Sequence, residues 1–238
     1  MRRLRSFTIV APGIAFAEGP AANWVVFTGR DAVELVDAGY PADRALVEAS
    51  IRWAGGDVSQ LRRILLTHGH SDHLGASREL AARTGATVET MPEELGNVRR
   101  DITEQVTVAD LLPSIAKRGT VRWAVSAIRA GGLGEVGVPD AAALTGDDVE
   151  LSTGHRLRVI ATPGHTSGHT AFFEPEAGAL ISGDALVTGH PLLRDSGRPQ
   201  PLPAFFHHDR EEAARSAAAL DLTGVRLLLP GHGPLLRL

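Results

Sequence analysis

The chain has 238 residues, 43% of them hydrophobic, with a formal charge of −4 and an isoelectric point near 6.2. That is ample for a packed core, and it offers no basic face of the kind a nucleic-acid partner requires. Cysteine is absent, which excludes disulfides, iron–sulfur clusters, thiolate metal sites and a cysteine nucleophile, so any metal must sit on nitrogen and oxygen.

MRRLR followed by FTIVAPGIAFA and Glu18 imitates a secretory signal with an Ala-x-Ala site at Ala15 to Ala17. Pro12 and Gly13 interrupt the apolar run, so the preferred reading is an opening strand, Phe7 to Phe16, and the cytoplasm is the expected location. No window approaches the roughly 20 apolar residues of a membrane span. NWVVFTGR and AVELVDAG read as adjacent strands, and Pro41 to Gly55 as an amphipathic helix. LRRILLT is a short buried strand, SDHLGASRELAART a helix ending at Gly85, and Ala86 to Met91 another strand.

From about residue 92 to 140 the chain is long and polar, with helical stretches near Val108 to Lys117 and Val121 to Arg129. This predicts a helical, lid-like insertion that covers the site, forms a homodimer contact, or both. Two hairpins follow, DVELSTGHRLRVIAT turning at Thr153-Gly154 and TAFFEPEAGALISGD turning at Pro175 to Gly178. A helix Arg210 to Leu220 and a strand Val225 to Leu229 complete the pattern. No internal repeat or low-complexity linker divides the chain, so residues 1–238 are expected to form a single domain.

The stretch THGHSDH, residues 67–73, crowds three imidazoles and a carboxylate where a strand gives way to a helix. His68 and His70, two apart in extended backbone, project to one side, while Asp72 and His73 fall in the first helical turn and aim elsewhere. That division suits two neighbouring ions better than one. Three further stretches end β-rich runs with a ligand-type residue beside glycine: TPGH at His165, SGD at Asp184 and PGHG at His232.

With VDAG at Asp37, these motifs in this order resemble the metallo-β-lactamase-fold superfamily from about Val10 to Pro234. The resemblance implies an α/β fold, an αββα sandwich with metals at the sheet edges. It implies one ion on His68, His70 and His165, a second on Asp72, His73 and His232, and Asp184 bridging both. Zinc is the expected metal, with iron or manganese as alternatives. Asp72 and Asp184 are the carboxylates placed in the reaction, and Asp37 is expected to hydrogen-bond to a ligand rather than to bind metal.

The implied chemistry is attack on an ester-like carbonyl of a small-molecule substrate by a water acidified between ions roughly 3.5 to 4 Å apart. His169 is expected to be structural and His155 exposed. His190, His207 and His208 lie in or beside a Pro-rich segment that the resemblance places near the site mouth, where Arg194 and Arg198 would also stand. Trp123 is expected to pack rather than to carry substrate.

Subfamily patterns narrow the activity. Asp184 argues against a dedicated β-lactamase, and His70 against a flavodiiron protein. Only six residues follow His232, which points away from the glyoxalase II pattern with its helical domain beyond the last ligand. Acyl-homoserine-lactone lactonases often carry a tyrosine soon after the bridging aspartate, where this chain has Ala185 to Val187; its one tyrosine is Tyr40. The reading is a dinuclear hydrolase of a small ester, lactone or thioester; the alternative is a mononuclear iron persulfide dioxygenase of the same fold.

Overall fold

Alternation along the strands sorts side chains between two layers of core. In β2 (Ile14–Glu18) and β3 (Trp24–Thr28), Ile14, Phe16, Val25 and Phe27 point one way, and Ala15, Ala17, Trp24 and Val26 the other. The computed structural model describes residues 2–107, 119–193 and 197–238, and in it the first set lies between two facing sheets and the second beneath helices. One sheet has seven strands in sequence order: β1 (Ser6–Ala11), β2, β3, β4 (Val33–Val36), β5 (Leu61–Leu65), β6 (Thr87–Thr90) and β7 (Ala142–Ala143). The other has six: β13 (Leu236–Arg237), β12 (Leu227–Pro230), β11 (Ala179–Gly183), β10 (Thr170–Glu174), β9 (Arg156–Ala161) and β8 (Asp148–Glu150).

Phe16 and Phe27 of the first sheet meet Leu157, Phe172, Ile181 and Leu229 of the second, forming the inner core. Trp24, Val26, Leu35 and Ile64 pack outward against Val47 and Ile51 of α1 (Arg44–Trp53) and Leu80 of α3 (Ser77–Thr84). On the far side, α6 (Arg210–Ala219) abuts the end of β9, where the Ser216 hydroxyl donates to the Pro163 carbonyl at 2.7 Å. This is the expected αββα sandwich. Among the described residues no helix is long and apolar enough to cross a membrane.

Several boundaries differ from expectation. The opening strand is a hairpin, β1 with β2, because Pro12 and Gly13, the latter at φ 71°, make the turn. The helix expected over residues 71–84 is broken into α2 (Ser71–Leu74) and α3 at Gly75, a weak helix former pressed against Pro41. The last strand is joined by β13, two residues too short to leave a pattern. Within the expected insertion, α4 (Leu95–Arg99) and α5 (Thr120–Arg129) are helical; the stretch Val108 to Lys117 lies outside the described residues.

β4 runs parallel to β5 and β11 parallel to β12, while β9 and β11 both run antiparallel to β10. The C-terminal ends of β4, β5, β9, β11 and β12 therefore gather at one edge of the sandwich. Asp37, His68, His165, Asp184 and His232 follow those ends.

Candidate metal centre

Each strand end delivers its side chain inward for a local reason. Asp37 adopts a left-handed φ of 63°, a conformation that Asp tolerates better than most residues, and so turns its carboxylate back under the next loop. There it accepts from the Thr67 backbone at 2.9 Å, from the Thr67 hydroxyl at 2.8 Å and from His73 Nδ1 at 2.8 Å. Gly231 sits so near the centre that a Cβ would lie 2.2 Å from Asp184 Oδ1. The Asn23 amide fixes that last loop by donating to the Pro230 and Gly233 carbonyls, both at 2.8 Å.

The seven candidate ligands converge. Three groups have ligand atoms all within 4.8 Å of one another: His68, His70 and His165; His68, His73 and Asp184; and Asp72, His73 and His232. Asp184 Oδ2 stands 3.3 Å from His165 Nε2 and 3.2 Å from His232 Nε2, and its Oδ1 lies 3.5 Å from His73 Nε2. The carboxylate thus sits between the trio of His68, His70 and His165 and the trio of Asp72, His73 and His232.

Outward hydrogen bonds fix each imidazole. His68 Nδ1 donates to the Thr67 hydroxyl (2.9 Å), His70 Nε2 to the Glu104 carbonyl (2.7 Å), and His232 Nδ1 to the Ala21 carbonyl (2.8 Å). His165 Nδ1 meets His207 Nδ1 at 3.2 Å, and His207 is oriented by donating through Nε2 to the Leu202 carbonyl at 3.1 Å. With one nitrogen committed outward, each ring turns a lone pair to the centre, as in histidine metal sites. His68 Nε2, His73 Nε2 and Asp184 Oδ1 are buried without hydrogen-bond partners. Buried polar atoms are nearly always paired, so these orphans, with an all-nitrogen-and-oxygen donor set, fit divalent cations.

The electrostatics agree. Burial, reinforced by neighbouring imidazoles, pushes His68 and His165 well down, and burial lowers His70, so these rings stay neutral and competent to bind metal. Burial also opposes the charge on His73 and His232, but Asp184 and its neighbouring carboxylates outweigh it, raising His73 to about 10 and His232 above its usual value. Burial pushes the Asp184 carboxyl up, yet His232 and His73 hold it well below the usual carboxylate range. The cluster is built to hold positive charge.

The other singled-out residues divide. His169 is structural: its Nδ1 donates to Thr162 Oγ1 at 2.7 Å, its Nε2 accepts from the Asp184 backbone at 3.0 Å, and burial lowers it to about 3. His155 is half-buried against Phe27 rather than exposed, its ring centroid 5.3 Å away. His190 stacks edge-on with His232 and Trp123, and His208 is exposed beside Glu104. Trp123 packs on Phe206 but also lines the pocket over the centre. Arg198 does not line that pocket among the described residues, and Arg194 lies outside them.

Sequence reasoning missed Glu94 and the place of Tyr40. Glu94 is fully buried, accepting from Gly69 N at 2.7 Å and Gly168 N at 3.0 Å, so one carboxylate clamps the loops carrying His68, His70 and His165. Burial raises it to about 7. Nothing in PEEL distinguishes it from exposed Glu93. Glu94→Ala leaves two buried amides unpaired, which should cost about 2–6 kcal/mol at ~1–3 per group. It should also weaken metal binding about 10–100-fold, read by chemical unfolding and by competition with a chelator. Tyr40 is 5% exposed, lines the same pocket as Asp72 and Asp184, and its hydroxyl makes no hydrogen bond among the described residues. Burial, then the charge of Asp72, raises its pKa well above the usual value, so it remains a donor.

Known proteins resemble this chain in sequence and fold. A family model described as the metallo-beta-lactamase superfamily matches residues 18–232. The chain is 28% identical over 213 residues to Probable metallo-hydrolase YflN of Bacillus subtilis (strain 168), covering 84% of this chain and 74% of that one. It is 32% identical over 209 residues to the hydroxyacylglutathione hydrolase of Acidiphilium cryptum (strain JF-5), covering 88% of this chain and 63% of that enzyme. Among solved structures, a metallo-beta-lactamase family protein from Thermus thermophilus is similar at TM-score 0.59 and 25% identity, over 99% of this chain and 74% of that one. A Cronobacter sakazakii metallo-beta-lactamase with a HARLDQ motif shares the fold at TM-score 0.62 and 22% identity, over 95% of this chain and 80% of that one.

Proposed function

The chain belongs to the metallo-β-lactamase superfamily, and from that premise we propose that it is a two-ion hydrolase of small acyl compounds: an ester, lactone or thioester. The observation that carries this reading is the pair of converging trios on either side of Asp184. His68, His70 and His165 would hold one ion, Asp72, His73 and His232 the other, and Asp184 would touch both. Two divalent ions bound there supply a water acidified to near-neutral pKa and a Lewis acid for the substrate carbonyl.

The chain's own residues do the rest. Asp37 and Thr67 keep His68 and His73 in the tautomers that face the centre. His169 holds the Asp184 backbone. Tyr40 donates its hydroxyl to the acyl oxygen, where negative charge grows as the carbonyl is attacked. His190 and Phe206, 5.0 Å apart and edge-on, shield the mouth from bulk water.

Metal analysis of the purified protein, followed by assay against esters, lactones, thioesters and β-lactams, tests this reading. About two zinc ions per chain with acyl hydrolysis is the expected result. One iron per chain with substrate-dependent oxygen uptake would overturn it in favour of the dioxygenase reading.

A further inference from the structure

The pocket over the centre is lopsided. Its floor holds Asp72, Asp184 and His232, and one wall is a face of α5 carrying Trp123, Ala124, Ala127 and Ile128. Those positions follow the i, i+1, i+4, i+5 spacing of a single helix face. Leu133 and Phe206 extend the apolar surface. Ile128 is 50% and Leu133 67% exposed. Single exposed aliphatic residues are ordinary, but a contiguous apolar surface running into a polar centre marks a ligand site.

The helix's arginines, Arg122 and Arg129, line a different depression together with Val121, Val125 and Ser126. No arginine or lysine among the described residues lines the pocket. A glutathione thioester brings two carboxylates, and against the α5 wall they would lose water without gaining a cationic partner among the described lining residues, which is costly. An alkyl or aryl tail meets no such cost and covers the exposed side chains.

Resting on the hydrolase reading above, we infer that the site takes neutral acyl compounds with an aliphatic or aromatic tail, seated against α5, in preference to thioesters borne on glutathione. A buried methylene is worth up to about fourfold in kcat/KM. Partial burial of four methylenes against a half-exposed wall should still exceed about tenfold.

The test measures the zinc-loaded protein with acetyl and hexanoyl thioesters of N-acetylcysteamine, which are neutral, and with hexanoylglutathione. The expected result is a hexanoyl-to-acetyl ratio in kcat/KM above about ten, and hexanoylglutathione at least about tenfold poorer than its neutral counterpart. Ala127→Arg, or Ile128→Glu should the first fold poorly, is expected to bring the hexanoyl-to-acetyl ratio to within about twofold of one. A flat chain-length profile, or glutathione thioesters turned over as well as neutral ones, would overturn the inference. Turnover of no acyl compound would overturn the hydrolase reading instead. Calorimetric titration with S-hexyl-N-acetylcysteamine and S-hexylglutathione, neither of which can be hydrolysed, would then still decide the pocket: equal affinity, or tighter binding of the glutathione compound, counts against it.

Discussion

Asp184→Asn is expected to lower the metal content from about two ions per chain and to reduce kcat/KM by more than the ~100-fold that loss of an outer partner of a metal ligand costs. The geometry sets this expectation. Asp184 Oδ2 lies within 3.3 Å of His165 and 3.2 Å of His232, so one oxygen faces both trios, and Oδ1 is a buried orphan toward His73. Asparagine keeps the shape but removes the negative charge that balances two cations, and it replaces one lone-pair oxygen with an N–H₂ pointing at them. Asp184 also raises the His73 and His232 rings, so without it they shift toward neutral and the loss of metal would come from the missing carboxylate charge and oxygen, not from the imidazoles. Metal analysis by mass spectrometry, with far-UV circular dichroism to verify folding, is the measurement. A folded variant with two ions and wild-type turnover would remove Asp184 from the centre.

The seven candidate ligands were legible because metal binding demands residue types that chance seldom crowds together. Three histidines and an aspartate in THGHSDH, at a strand-to-helix change, suggested that the four aim in two directions, and the structure places His70 beside His165 and Asp72 beside His232. Strand alternation was legible for the same reason: β2 and β3 repeat with period two, and Phe16 and Phe27 are buried accordingly.

Less legible were features fixed by tertiary contact. Glu94 follows a proline in an ordinary acidic run, and only folding brings it between Gly69 and Gly168. The break after α2 depends on Pro41, distant in sequence, pressing on Gly75. The α5 face reads as an amphipathic helix wherever its apolar side points. Which side meets the body of the fold and which meets the pocket is decided by Phe206 and His190, far along the chain.

Tyr40 shows the same limit, and it yields the second large expected effect. As the chain's one tyrosine, placed far from the segment after Asp184, it counted in sequence against a lactonase-like site. Folding returns it to the pocket from the loop after β4, with its ring edge beside Gly132 and the Arg2 guanidinium 5.9 Å from its centroid. A phenol only 5% exposed whose hydroxyl bonds to nothing among the described residues adds little to the fold through that hydroxyl, so a structural role would rest on the ring alone, which phenylalanine keeps. Tyr40→Phe should therefore leave the thermal midpoint and the metal content unchanged, or raise stability slightly. If the hydroxyl donates to the acyl oxygen as charge develops there, kcat/KM should fall about 10²-fold, the cost of one such donor. The loss should fall chiefly in kcat, because the interaction strengthens in the transition state. The alkaline limb of the pH profile should not move below about pH 10, the usual phenol value, since burial holds this phenol protonated beyond that range. A drop in thermal midpoint with kcat intact would make Tyr40 a packing residue; a rise in KM alone would make it a ground-state contact.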